Sequence, residues 1–282
     1  MKSRSLFRRL ALFFGFAFLY VPILSMIVYS FNNSRLVTVW DADDSPTLKW
    51  YRALLSNDQI LGAAWLSIKV AAVTATGAVI LGTLAGLVLA RFGPFKGRTL
   101  LSGMTTAPLV MPEVITGLSL LLLFVFLEQL IGWPQGRGFV TITIAHITFS
   151  MAYVTVVVQS RLATFDDSLE EAAMDLGARP AKVFFRITLP LILPAILSGW
   201  LLAFTLSWDD LVISQFVAGP GSTTLPMVVF SKVRLGVSPD INALATIMVM
   251  IVGFGVLVSA LYMRRQERRV ALEAQMARAD KH

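Results

Sequence analysis

The sequence has no cysteine and only two histidines, His146 and the terminal His282. Without cysteine there is no disulfide framework, no thiolate nucleophile and no cysteine metal site. Neither histidine belongs to an H-E-x-x-H or comparable ligand spacing, so no metal is expected. No G-x-x-x-x-G-K-[ST] phosphate loop occurs either; Gly93-Pro94-Phe95-Lys96-Gly97-Arg98-Thr99 has some of its residues without its spacing. The chain is therefore expected neither to hydrolyse ATP nor to hold a cofactor. Charge is also scarce, at 15% of the 282 residues, against about 25% in a soluble domain.

What fills the gap is apolar: 56% of residues are hydrophobic and the mean hydropathy is +0.73. The apolar residues come in runs long enough to cross about 30 Å of hydrocarbon at helical rise. The reading is an all-α polytopic membrane protein with six spans and lipid around it. Span one runs from about Leu10 to Phe31, behind Lys2, Arg4, Arg8 and Arg9, and reads as an uncleaved signal anchor. A polar stretch with a short interfacial helix around Trp50 and Tyr51 precedes span two, about 61–90. There Gly82-Thr83-Leu84-Ala85-Gly86 is a small-xxx-small pattern that permits close helix approach. Span three, about 99–127, should be kinked by Pro108 and Pro112; span four covers about 139–159, span five about Pro190 to Val217, and span six about 243–263.

Of the 24 basic residues, 17 lie in 1–9, 91–98, 161–190 and 264–282. The positive-inside rule then puts those four segments in the cytoplasm: an N-terminus, a short loop, a longer loop and a C-terminal tail, with the span domain at 10–263. Net charge +7 is explained by orientation in the membrane, and nucleic acid is discounted.

The most specific stretch lies in the longer loop. Ser168 stands three residues before Glu171, the S-x-x-E spacing of a helix start. Leu169, Ala172, Ala173 and Leu176 then form one apolar face, opposite Glu170, Glu171 and Asp175. Gly177 ends the helix, and after Arg179, Pro180 suits the first turn of a second one carrying Val183, Phe184 and Ile187. Helix, glycine elbow and basic second helix would also suit a DNA-binding helix-turn-helix. The long apolar runs on both sides decide against that.

The order Glu171-Ala172-Ala173, three residues, Gly177, nine residues, Ile187-x-Leu189-Pro190 resembles the cytoplasmic EAA loop of permease subunits of ATP-binding-cassette (ABC) importers. The core from about residue 10 to 263 is similar to the six-span fold of type I importers. Ala107-Pro108-Leu109-Val110-Met111-Pro112-Glu113-Val114-Ile115-Thr116-Gly117, Ser207-Trp208-Asp209-Asp210-Leu211-Val212-Ile213 and Pro239-x-Ile241-Asn242-Ala243 resemble the polyamine permeases, putrescine systems in particular. The resemblance implies import of putrescine or spermidine by alternating access. It implies a second, homologous permease subunit, two copies of a cytoplasmic ATPase that bind the ATP and Mg, and a periplasmic polyamine-binding protein. It assigns Glu170, Glu171, Ala172, Ala173, Asp175, Gly177 and Arg179 to ATPase coupling. Another small organic solute is the alternative cargo. An ion-driven secondary transporter would show paired broken helices in two repeats, and no such repeat is seen.

Glu113, Asp209 and Asp210, with Trp208 beside them, are expected to line the substrate path, since ionisable groups in apolar spans face a cavity or a partner. On one continuous helix the adjacent aspartates would lie about 100° apart, so one should pair structurally, with Lys69 or Arg234 as candidate partner. Lys69 itself should pair with an acid or snorkel outward. His146, with Ser150 one turn on, has the residues of a hydrolase pair but no nucleophile elbow or oxyanion glycine run, so a hydrogen-bonded structural histidine is expected.

Overall fold

The computed structural model describes residues 2–34, 36, 39–164, 166–236, 238–255, 257 and 261. The chain divides into two units, Gln59–Phe230 and the described residues of Met1–Asp58 with Ser231–His282.

The second of these opens with α1 (Lys2–Tyr29), which reaches the end of the first apolar run before the chain turns polar. The turn is built on Asn32, buried to 1%. Its side chain donates to Val39 O and accepts from the Asp41 amide, while its carbonyl takes the Trp50 indole proton. Trp50 and Tyr51 stand on α2 (Lys49–Leu55), the short helix their amphipathic rings suggested. Farther along the chain, Lys232 in α11 (Leu225–Leu235) pairs with Asp240 in α12 (Pro239–Gly255). The expected span six runs past α12 beyond the described residues, and the tail 264–282 lies outside them.

Gln59–Phe230 is organised on α6 (Phe139–Ala163). Of its most apolar window 56% is buried, against 11% for α5 (Glu113–Ile131), so α6 is the helix the others pack on. One apolar cluster joins Val70, Phe124, Ile142, Phe149, Ile213 and Val217; a second joins Ala75, Ala78, Val154, Val158, Ile192 and Ala203. The long helix α3 (Asp58–Arg91) crosses α6 at the small-residue stripe. A Cβ on Gly82 would stand 2.7 Å from Val154 Cβ and 2.9 Å from the Met151 carbonyl oxygen. That backbone oxygen cannot move aside, so Gly82→Val must part the helices, an overpacking cost of about 1–3 kcal/mol. Gly82→Val is expected to lower the unfolding temperature in detergent by several degrees. Gly62→Val, where a Cβ meets nothing within 4 Å, should leave it in place; equal melting of the two variants would refute the close crossing.

Two expected spans are corrected. Span three is two helices, α4 (Arg98–Val110) and α5, separated at Met111 and Pro112. Met111 is extended, with φ −79 and ψ 137: the ring of Pro112 excludes the helical conformation before it and supplies no N–H to continue the ladder. Pro108 stays within α4. Span five starts ten residues earlier than expected. Helix α8 (Pro180–Val183), a π-helical turn at Phe184–Thr188 and α9 (Leu189–Trp208) make 29 continuous helical residues. It also stops earlier, at Trp208, and a separate α10 (Val212–Val217) follows. Among the described residues five helices are long and apolar enough to cross a membrane, and α12 is a further, shorter apolar helix.

Candidate functional site: an elbow helix and a broken acidic helix

The loop after α6 contains α7 (Ser168–Asp175). The expected start is modified: Asp167 is the N-cap residue, and no side chain caps the helix there. Instead Asp166 Oδ1 accepts the Ser168 amide proton at 3.0 Å. Hydrogen bonds from the Ser168 amide and hydroxyl hold the Asp166 carboxyl below its ordinary pKa. The end is as expected. Gly177 has φ 83, in the left-handed region. Its amide donates to Met174 O at 2.9 Å and the Ala178 amide to Ala173 O at 3.0 Å, the paired bonds that close a helix on a left-handed residue. Arg179 is extended and caps α8, with Pro180 in its first turn.

The elbow is held from beneath. Glu170, expected opposite the apolar face with Glu171 and Asp175, turns inward: its Oε1 accepts from the Thr188 hydroxyl at 2.6 Å and its Oε2 lies 3.4 Å from Arg91 Nε. Arg91 Nη1 also pairs with Asp167. The last residue of α3 thus anchors both the start and the first turn of α7, over a cavity of about 320 Å³ whose wall includes Leu87, Met174 and Phe184. Arg91 and Thr188 carry no local motif that announces this role. Both lie far from Glu170 in sequence and are joined to it only by the return of the chain.

No residue of α7 is buried. Glu171, Ala172 and Asp175 are exposed, and so is Leu176 at 89%. The apolar face read from the sequence exists, and among the described residues it is left largely uncovered.

The second group lies at the break between α9 and α10. Asp209 closes α9 and is exposed; Asp210 stands in the break with 8% of its side chain exposed. They do not share a helix, so the expected angular offset does not apply. Neither Lys69 nor Arg234 is the partner of Asp210. Its Oδ2 lies 3.0 Å from His146 Nε2 and accepts the Ser214 amide proton at 2.7 Å, and its Oδ1 accepts that of Ile213 at 3.2 Å. Lys69 is exposed, with its ammonium 5.7 Å from the centre of the Trp65 ring.

His146 is structural and hydrogen-bonded, but not to Ser150. Its Nδ1 meets Ser207 Oγ at 2.7 Å. Ser207, His146 and Asp210 have the composition of a hydrolase triad without its function. Ser207 is 5% and His146 2% exposed, which leaves a substrate no approach, and the amides beside Asp210 are directed at its carboxylate rather than at a developing oxyanion. Trp208 extends a row of near-parallel rings along α9. Phe204 lies 5.3 Å from Trp200 and 6.1 Å from Trp208, centroid to centroid. Glu113 is exposed in the first turn of α5. The break is placed against α5 by close packing at Gly117, where an added Cβ would stand 3.3 Å from Ile213 Cα.

Residues 78–272 match the family model described as the binding-protein-dependent transport system inner membrane component. The chain is 58% identical over 275 residues to the putrescine transport system permease protein PotI of Escherichia coli K12, covering 98% of this chain and 97% of that one. It is 42% identical over 236 residues to the spermidine/putrescine transport system permease protein PotC of the same strain, covering 84% and 86%. Among solved structures, a chain from the crystal structure of a bacterial ABC transporter involved in the import of the acidic polysaccharide alginate superposes with a TM-score of 0.73 at 15% identity, covering 93% of this chain and 96% of that one. That last likeness speaks to the fold alone. Broken helices, a central α6 and an anchored elbow helix thus coincide with a match over most of the sequence, and the chain belongs to the family of inner membrane components of binding-protein-dependent transport systems, as a multi-pass permease.

Proposed function

We propose that this permease is one of two homologous membrane subunits of an ABC importer for polyamines, putrescine before spermidine. The exposed, anchored α7 carries the coupling part of this reading. A helix whose apolar face is left uncovered, braced from below by Arg91 and closed by a left-handed glycine, transmits a push instead of yielding to it. On this reading α7 docks on a cytoplasmic ATPase that binds ATP and Mg. Glu171, Ala172, Ala173, Asp175, Gly177 and Arg179 form the contact, while Glu170 braces it. A periplasmic binding protein delivers the substrate, and both termini, residues 1–9 and 264–282, are cytoplasmic. The substrate class rests on the likeness to the putrescine permease and on the exposed carboxylates of Asp209 and Glu113, which suit an alkylammonium.

The test is assembly followed by uptake. The chain is expressed with its neighbouring transport subunits, purified by a tag on this chain alone, and reconstituted with the binding protein. An ATPase should co-purify, and labelled putrescine should accumulate only with ATP on the ATPase side. An assembled, ATP-hydrolysing complex that ignores putrescine and spermidine would refute the substrate, and absence of any ATPase would refute the whole reading.

A further inference from the structure

His146 stands seven residues into α6, about 10 Å from its first residue at helical rise, and is 2% exposed. Both ring nitrogens are engaged. Nδ1 lies 2.7 Å from Ser207 Oγ, and Nε2 lies 3.0 Å from Asp210 Oδ2 and 3.2 Å from Ser214 Oγ. The three partners span the break: Ser207 in the last turn of α9, Asp210 between the helices, Ser214 in the first turn of α10. A neutral imidazole has one donor and one acceptor. Facing an ionised Asp210, which only accepts, Nε2 is the donor, and in the neutral ring Nδ1 is then left to accept from the Ser207 hydroxyl. With two amide protons added, the Asp210 carboxylate is satisfied from within the protein.

The neighbouring Asp209 is exposed, and the difference matters for a transported cation. A path site must bind strongly enough to admit its ion and weakly enough to release it. Two adjacent carboxylates closing on one ammonium would make a deep trap; one makes a shallow site. We propose that His146 is a positioning residue for cation transfer: by holding Asp210 inward across the helix break, it leaves Asp209 as the one carboxylate of the break that meets the substrate. The proposal rests on the polyamine reading above.

The test uses the complete transporter in proteoliposomes, with putrescine uptake measured as KM and kcat. His146→Leu releases Asp210 toward the path, so kcat should fall about tenfold, the scale of a lost hydrogen bond to a charge, with KM lowered rather than raised. His146→Gln, which can still offer an N–H to Asp210, should stay within about threefold of wild type. Adding Asp210→Asn to His146→Leu removes the second charge and should restore most of the lost kcat. A purely packing role predicts the opposite: a further loss in the double variant. A raised KM in His146→Leu, or no recovery in the double variant, overturns the proposal. Amide hydrogen exchange across residues 209–217 of the same complexes gives a reading independent of substrate. Exchange there should quicken about tenfold in His146→Leu and much less in His146→Gln. If the wild-type transporter carries no putrescine, the substrate reading fails on its own, while equal exchange in all three proteins would defeat the role of His146.

Discussion

Gly177→Asp is expected to yield a protein that inserts and folds but no longer drives transport, with ATPase retention and putrescine uptake both falling by at least about tenfold. The reason lies in two observations at one position. The backbone there has φ 83, and an added Cβ meets nothing within 4 Å. The chain itself therefore has room for a side chain, and the direct penalty is the left-handed conformation, about 1 kcal/mol for a residue with a Cβ. That is too little to unfold a domain built on α6. It is enough to bias the elbow toward another angle, and a new carboxylate would stand on the proposed contact surface beside Asp175. Small misplacements of a rigid element are costly where two bodies must fit. The measurement is co-purification of the ATPase with this chain, then uptake at matched permease levels. Wild-type uptake by Gly177→Asp would mean that the glycine is only a convenient helix end, and loss of the permease itself from the membrane would mean that the elbow is needed for folding.

Asp209→Asn is expected to raise KM for putrescine about tenfold, the effect of removing one charge-assisted contact of about 1.5 kcal/mol. Asp209 is the acid at the break that is exposed, whereas the carboxylate of Asp210 is enclosed by His146, Ser214 and Ile213. Glu113→Gln should cost less, within about threefold. Glu113 stands in the first turn of α5, where the helix dipole gives a carboxylate a local reason to be present. Uptake kinetics of the two variants at equal assembly decide the point. An unchanged KM in Asp209→Asn would remove the acid from the path. A larger effect at Glu113 than at Asp209 would move the path's acidic contact from the break to the start of α5.

The elements legible in the sequence are those with local causes. The left-handed end of α7 at Gly177, the start of α8 at Pro180, the close crossing at Gly82 and Gly86, and the apolar runs all follow from neighbouring residues. The ends of spans three and five have local causes too, but ambiguous ones. Pro108 lies inside α4 while Pro112 separates two helices, although both are prolines in one apolar stretch. Nothing in Ser207-Trp208-Asp209-Asp210 says that the helix stops at Trp208. The break is held open by hydrogen bonds from a histidine 64 residues away.

Sequence alone determined the class, the short helix α7 and its glycine elbow, because each depends on composition or on contacts a few residues apart. Only the tertiary structure decided which acids are available. Glu170 and Asp210 carry the same charge as their exposed neighbours Glu171 and Asp209, and what distinguishes them is a distant partner: Arg91 for one, His146 for the other. A carboxylate's hydrogen-bonding capacity is finite, so an acid satisfied inside the protein is withdrawn from function, and that withdrawal is set by which helices meet.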